Sequence, residues 1–340
     1  MKTLRLLLCG MGNVHRNFLR IVESQRDLLC ERHGLALVVV GVTDSGGAAF
    51  DAAGLDPQAI LAAKLAGHSV ASLPSGRAGM DGLALLDAVP ADVLLEATPV
   101  NLRHGQPGLD TTRAALRRGM PVVLANKGPL ALAFQELATL ARESRASLRY
   151  SACVGGALPT INIGVRDLAG ARVLKVEAMV NGTCQGILRQ MESGVSFEDA
   201  LAEMQRRGVV EADPSLDIDG WDEAVKLVII ANAVLRRPTT ITDVRVSGIR
   251  GLTAADLRAA EARGERYVLL GSAEPAGDDW ALSVAAVPLP QAHPLARMSG
   301  DEMGIVYHTD ISGVLSATAL ETDAMPTAAA MLRDLVADRG

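Results

Sequence analysis

Short apolar runs recur through the first half of the chain, each closed by glycine or a polar turn and followed by helical periodicity. Leu4 to Cys9 ends at Gly10-Met11-Gly12, and a helical pattern runs from Asn13 to about Cys30. Leu35 to Val42, rich in valine, ends at Thr43-Asp44-Ser45-Gly46-Gly47. Val93 to Glu96 and Pro121 to Ala125 follow, with a helical Thr111 to Arg118 between them. Strand, helix, strand at this rhythm predicts a parallel sheet covered on both faces. After Tyr150 the pattern changes. Gly155-Gly156-Ala157-Leu158-Pro159 reads as a turn or helix start, Val173 to Val180 alternates as a strand, and Leu201 to Arg207 is the tip of a helix. Asp222 to Arg236 is a strong amphipathic-to-apolar helix, stopped by Pro238. Tyr267 to Gly271 and Ala281 to Val287 predict antiparallel strands across a polar turn, Glu274 to Asp279. Thr327 to Asp338 predicts a closing helix, too short to fold alone and expected to return to the first domain. The expected fold class is α/β: a Rossmann-like nucleotide-binding domain over residues 1–148 and 321–340, and an α+β domain over 149–320.

Composition narrows the function classes. The 340 residues are 49% apolar and 21% charged, which excludes a disordered chain. Net charge is −6, no Lys/Arg block stands out, and aromatics are 3%. That balance argues against nucleic acid, base stacking or an anionic membrane as partner. Cys9, Cys30, Cys153 and Cys184 show no CxxC or CxxH spacing, so buried thiols in a reducing cytoplasm are expected rather than disulfides or a metal site. The apolar run after Met1 is too short for a signal peptide, and no stretch approaches the roughly 20 apolar residues of a membrane span.

Candidate chemistry lies at the ends of the apolar runs. Gly10-Met11-Gly12-Asn13-Val14-His15 follows the first strand and opens a helix, where a dinucleotide fingerprint belongs. Gly10 permits the tight turn and Gly12 lets a pyrophosphate approach backbone amides. His15 replaces the third glycine; it either crowds helix–strand packing, points at phosphate, or is a partly exposed side chain without a role. Asp44, ending the second run, is placed to bond the adenosine ribose, and with no Lys or Arg in Thr43–Gly47 it favours NAD over NADP. A turn aspartate is the plainer alternative, as a glycine turn without ligand is for Gly10 and Gly12.

The densest polar stretch is Gly208 to Lys226, with Glu211, Asp213, Asp217 and Asp219 ahead of Gly220. Asp219 is placed to cap the following helix. Asp222 and Lys226 are spaced i,i+4, either a surface pair or a functional one. Because Leu227-Val228-Ile229-Ile230 follows directly, desolvation is expected to lower the Lys226 pKa toward acid–base range. Asn126-Lys127 ends the fourth run at the carboxyl edge, where open parallel sheets bind ligands. Asn181-Gly182-Thr183 ends the Val173 strand in the same way, and an Asn-Gly pair is usually just a turn.

Taken together these segments resemble the homoserine dehydrogenase family over nearly the whole chain. The resemblance is carried by Gly10-Met11-Gly12-Asn13-Val14, Glu96-Ala97-Thr98-Pro99-Val100-Asn101, Ala125-Asn126-Lys127-Gly128-Pro129-Leu130 and Val154-Gly155-Gly156-Ala157-Leu158-Pro159. Asn181-Gly182-Thr183, the Glu211 to Lys226 block, and His293-Pro294-Leu295-Ala296 with Ser299-Gly300 complete it. It implies NAD(P)-dependent interconversion of L-homoserine and L-aspartate 4-semialdehyde in amino-acid biosynthesis, by a cytoplasmic homodimer built partly on strands of the second domain. It implies Lys226 as general acid–base, Lys127 assisting, and Asp222 holding the lysine. Glu211 and Asp217 hold the amino acid, and Thr183 with Gly182 lines its pocket. Gly10, Gly12, Asn13, Val14, Asp44, Thr98, Pro99 and Asn126 fall to the cofactor.

Several positions depart from the family pattern. Tyr150-Ser151-Ala152-Cys153 lacks the Glu of the family's monovalent-cation site, so no metal is expected. Cys184-Gln185, Val209 and the Leu320–Met325 segment also differ. These departures keep open a related dehydrogenase acting on another amino-acid-derived alcohol or aldehyde, and beyond it a non-catalytic nucleotide-binding protein. A regulatory domain with threonine feedback, or a fused aspartate kinase, is not expected.

Overall fold

A central strand, β1 (Lys2–Cys9), is buried along its second half and organises the first unit. The computed structural model describes residues 1–206, 213–321 and 323–337. It divides into a unit of Met1–Ala157 with the C-terminal segment from Asp323, and a second unit beginning at Leu158.

In the first unit β1 is followed by α1 (Asn13–Ser24), α2 (Arg26–His33), β2 (Leu35–Asp44), β3 (Gly47–Phe50), α3 (Pro57–Leu65), β4 (Gly76–Ala78) and α4 (Gly82–Ala88). Then come β5 (Val93–Glu96), α5 (Gly108–Arg117), β6 (Val122–Leu124), α6 (Gly128–Ser144) and β7 (Leu148–Arg149). The sheet runs β4-β3-β2-β1-β5-β6-β7, parallel from β2 to β7 with β3 and β4 added antiparallel at one edge. Strand order reverses at β1, so the carboxyl ends of β1 and β5 open a crevice of the kind that binds ligands in such sheets. The helix expected from Asn13 to Cys30 is two helices. Gln25 leaves helical geometry (φ −105°, ψ 10°) inside Glu23-Ser24-Gln25-Arg26-Asp27, which offers no apolar side chain to hold a straight continuation against the core.

The second unit carries a one-turn α7 (Thr160–Asn162), β8 (Val173–Met179), α8 (Gly182–Glu192), α9 (Phe197–Arg206), α10 (Ser215–Ile218) and α11 (Trp221–Ala233). These are followed by β9 (Val244–Val246), α12 (Ala254–Glu261), β10 (Glu265–Ala276), β11 (Asp279–Pro290), β12 (Glu302–Thr309) and β13 (Val314–Leu320). Its sheet runs β13-β12-β8-β10-β11-β9, with β8 near the middle. The hairpin strands extend further than their apolar cores suggest. Ala276 pairs with Asp279, leaving Gly277 (φ +64°) and Asp278 as the turn, so the polar residues around it belong to exposed strand ends. β12 and β13 lie outside the expected strands. β12 is buried almost throughout and so shows no alternation, while β13 alternates only between exposed and half-buried positions.

The last helix, α13 (Met325–Ala337), belongs to the first unit and packs on α1. Asp334 accepts from the Ser151 amide (2.8 Å) and hydroxyl (2.6 Å), both buried. Ser151, in the segment that lacks the family's cation-site Glu, thus anchors this helix.

Candidate active site

The glycine turn is set by contacts that a side chain would forbid. Gly10 has φ +92°, and a Cβ there would fall 2.6 Å from the Ala97 carbonyl oxygen and the Thr98 amide. The amides of Gly10 and Met11 both donate to the Thr43 carbonyl at 3.0 Å, tying the turn to the end of β2. Gly12 is the N-cap of α1 without a side-chain cap, and a Cβ on it would meet no atom within 4 Å. Asn13 and Val14 open the helix, so its first amides face an approachable surface, a fit for an anionic pyrophosphate. Asn13 accepts from Arg16, which adds a cation to that end.

His15 is fully buried, contrary to the reading of a partly exposed or phosphate-facing side chain. It shares the inward face of α1 with Phe18, Leu19 and Val22, which the helical period brings together. Its Nδ1 lies 2.9 Å from the Gly10 carbonyl oxygen, and its ring stands edge-on to Phe18. Burial pushes the imidazole pKa down to about 4, so the ring is neutral and donates from Nδ1. Nε2 has no hydrogen-bond partner among the described residues. His15 therefore braces the turn from inside.

A cleft of about 450 Å³ opens beside this turn, lined among others by Gly10, Thr43, Asp44, Thr98 and Pro99. The Asp44 carboxylate accepts four hydrogen bonds, from Lys64 Nζ (2.5 Å), Ser69 Oγ (2.6 Å) and the amides of Val70 and Gly46 (3.0 Å each). Burial alone would raise its pKa, but these donors outweigh it and hold the carboxyl below its usual range. Lys64 escaped the local reading because it arrives from α3. On the opposite side, buried Glu96 at the end of β5 accepts from the Thr98 amide (2.8 Å), the Thr98 hydroxyl and Asn126 Nδ2 (3.3 Å). Asn126 in turn accepts from the Gly128 amide at the start of α6 (3.0 Å), with Lys127, the N-cap residue, half-buried at the helix entrance. A Cβ at Gly108 would lie 2.6 Å from Asn126 Nδ2 and 2.9 Å from Glu96 Oε1, so glycine makes room for this network. Burial pushes the Glu96 carboxyl upward.

The second unit gathers charge around one lysine. Lys226 on α11 is 12% exposed and pairs with Asp222 at 2.8 Å, while donating to the Val180 carbonyl just past β8. Asn181 caps α8 through the Cys184 amide (2.9 Å). Its Nδ2 donates to Asp217 (2.8 Å) and Asp222 (3.0 Å), so both carboxylates are oriented by one amide. Gly182 and Thr183 form the first turn of α8 beside them. The expected lowering of the Lys226 pKa is not found. Burial does act downward, but the negative charges of Asp222, Glu223 and Asp217 outweigh it, and the ammonium is held above its ordinary range. Asp219 does not cap α11 either; Gly220 is the N-cap, and Asp219 is drawn aside by Arg250 at 2.9 Å. Glu211 and Val209 lie outside the described residues.

Three participants escaped the sequence reading. Asn181 looked like a turn residue, Glu96 had no charged neighbour in sequence, and Glu223, fully buried and spaced i,i+3 from Lys226, was passed over for Asp222 at i,i+4. The departures Cys184 and Gln185 are themselves buried, bonded to the carbonyls of Asp217 (3.1 Å) and Leu269 (3.3 Å). Among the described residues no cluster of His, Cys, Asp and Glu has metal-binding geometry, and no helix is long and apolar enough to cross a membrane.

Comparison with known proteins places these two sites in context. The family model for homoserine dehydrogenase matches residues 159–336, and that for the homoserine dehydrogenase NAD binding domain matches residues 10–151. The chain is 36% identical over 249 residues to a homoserine dehydrogenase of Methanocaldococcus jannaschii, covering 73% of this chain and 74% of that one. It is 32% identical over 335 residues to an NAD(+)-dependent homoserine dehydrogenase of Pseudomonas canavaninivorans, covering 98% and 95%. A crystal structure of a homoserine dehydrogenase from Thiobacillus denitrificans aligns with a TM-score of 0.86 at 28% identity, over 99% of this chain and 73% of that one.

Proposed function

The chain belongs to the homoserine dehydrogenase family, and on that premise we propose that it interconverts L-homoserine and L-aspartate 4-semialdehyde, with Lys226 handling the proton. The observation that carries this reading is a nearly buried ammonium held by Asp222 and the Val180 carbonyl at the mouth of an apolar helix. A bound nicotinamide supplies the hydride to the aldehyde carbon, or takes it from the alcohol. In the reducing direction the carbonyl π pair moves onto oxygen, and Lys226 Nζ donates the proton that makes the hydroxyl. Asp222 and Val180 keep the ammonium aimed, and the family resemblance gives Lys127 an assisting role. Asp217, oriented by Asn181, and Glu211 hold the substrate ammonium, while Gly182 and Thr183 line its pocket.

For the cofactor, the Cβ-free turn at Gly10 and Gly12, the entrance of α1 at Asn13 and Val14, and the cleft wall of Asp44, Thr98 and Pro99, with buried Asn126 bonded behind Thr98, suit a dinucleotide. NAD is favoured over NADP on the Asp44 carboxylate at the cleft wall, which its donors hold ionised; Lys64, paired with it at 2.5 Å, offsets that charge, so the discrimination against a 2′-phosphate is expected to be small. We further assign a homodimer built on strands of the second unit, where edge strand β13 exposes Val314 and Leu320 at 62% each. The test is reduced-nicotinamide absorbance with purified protein, homoserine, and NAD or NADP in turn. Turnover, faster with NAD, supports the reading. Silence with both cofactors in protein that still binds one would overturn it in favour of another amino-acid-derived alcohol.

A further inference from the structure

Glu223 lies one turn before Lys226 on α11 and is completely buried, yet the chemistry described above makes no use of it. Both of its oxygens stand at hydrogen-bond distance from the Val180 amide, at 3.1 and 3.0 Å. Lys226 donates to the carbonyl of that same residue. Two side chains of one helical face therefore grip both polar groups of the residue that follows β8. The next residue is Asn181, which orients Asp217 and Asp222, so any slack at Val180 would pass directly to the charged cluster. Opposite Glu223 the sheet carries Gly271, where a Cβ would lie 3.2 Å from Oε1 and 3.5 Å from Cγ; the glycine leaves the carboxylate its space.

Burying a carboxylate is unfavourable unless a cation and hydrogen bonds compensate it. Lys226 supplies the cation. The groups that face Lys226 are Asp222 and Glu223 of α11, Asp217 of α10, and Cys184 of α8, whose thiol is pushed far up by burial and so stays neutral. Asp222 and Asp217 share Asn181, whereas Glu223 is the carboxylate fixed to the peptide on which the lysine rests.

We propose that Glu223 is a positioning residue for the acid–base centre: it holds the Val180 peptide under Lys226, and its negative charge adds to those of Asp222 and Asp217 around that ammonium. The proposal rests on the reading of Lys226 as proton donor for its meaning, though not for its test. Glu223→Gln preserves shape and an acceptor for the Val180 amide while deleting the charge. Protein carrying 13C-labelled lysine is titrated, with the Lys226 ε-carbon signal assigned by its loss in Lys226→Arg. The Lys226 midpoint should fall by about one pH unit in Glu223→Gln, the effect of removing one nearby opposite charge. An unchanged midpoint would overturn the proposal, because a purely structural role does not move it. If Glu223→Gln fails to fold, Glu223→Met, similar in length and uncharged, carries the same expectation. The readout needs no turnover, so it stands even if homoserine is not the substrate. If the midpoint falls while the pH profile of homoserine turnover stays put, the Glu223 assignment holds and the catalytic reading of Lys226 fails.

Discussion

Each unit buries a carboxylate at the end of a strand, and the two are treated in opposite ways. Glu96, closing β5, is surrounded by neutral donors: an amide, a hydroxyl and a carboxamide. Among the described residues no cation offsets its burial, and its pKa is pushed up. Glu223, set against the end of β8, shares its helix face with an ammonium. The first arrangement fixes loops; the second fixes a proton. Neutral dipoles suffice where the task is to present backbone and hydroxyl groups to a ligand. Where a proton must be kept and released, compensating charges in a nearly dry setting set the affinity for it.

That contrast can be broken most sharply at Lys226. Lys226→Ala should lower kcat by at least roughly a hundredfold, the usual worth of a general acid–base group, while fluorescence titration shows the reduced cofactor still bound. Loss of cofactor binding in this variant would mean that the tasks are not divided between the units. A smaller effect is expected inside the glycine turn. The His15 pKa is depressed to about 4 on folding, so the unfolded chain binds more protons between that value and the ordinary 6.5. Stability from His15 is therefore present above the unfolded value and lost as pH falls through the window. Between pH 7 and pH 5 the loss should be about 2 kcal/mol, read by denaturant unfolding, and His15→Gln should flatten that slope. A variant with the wild-type slope would return His15 to a neutral packing role.

Gly10→Ala, with its Cβ forced against Ala97 and Thr98, should raise the KM for the dinucleotide about tenfold and leave the Lys226 pH profile unchanged. The smallest effect is expected at Asp44. Asp44→Ala should narrow the preference for NAD over NADP, measured as the ratio of kcat/KM values; an unchanged ratio would deny it the ribose role.

The sequence made the first unit's sheet readable because β1, β2, β5 and β6 are buried on both faces over most of their length and so appear as near-continuous apolar runs, interrupted only at Arg5 and Gly41. β12 escaped although it is just as buried, since Met303 to Tyr307 contains a glycine and lies close to polar turns. At the site, Lys226 and Asp222 were legible because they sit on one helix at i,i+4. Their surroundings were not. Val180 and Asn181 reach them across 46 and 41 residues of sequence, and only folding brings them together. The direction of the Lys226 pKa went wrong for the same reason. Local sequence displays the apolar residues that desolvate the lysine and its neighbours Asp222 and Glu223, but conceals the approach of Asp217 from α10 and that their summed charge outweighs burial. His15 is a parallel case: a polar letter in a glycine motif looks exposed until the helix turns it inward.

The central claim is that Lys226 is poised as a protonated acid, and the pH dependence of kcat in both directions tests it most directly. A lysine held above its ordinary range is rarely a free base near neutrality. Homoserine oxidation, which needs that base, should climb steadily with pH from neutral into the alkaline range. Aldehyde reduction, which needs the acid, should stay level across the same interval. Oxidation that is flat, or that passes through a maximum near neutral pH, would contradict the account.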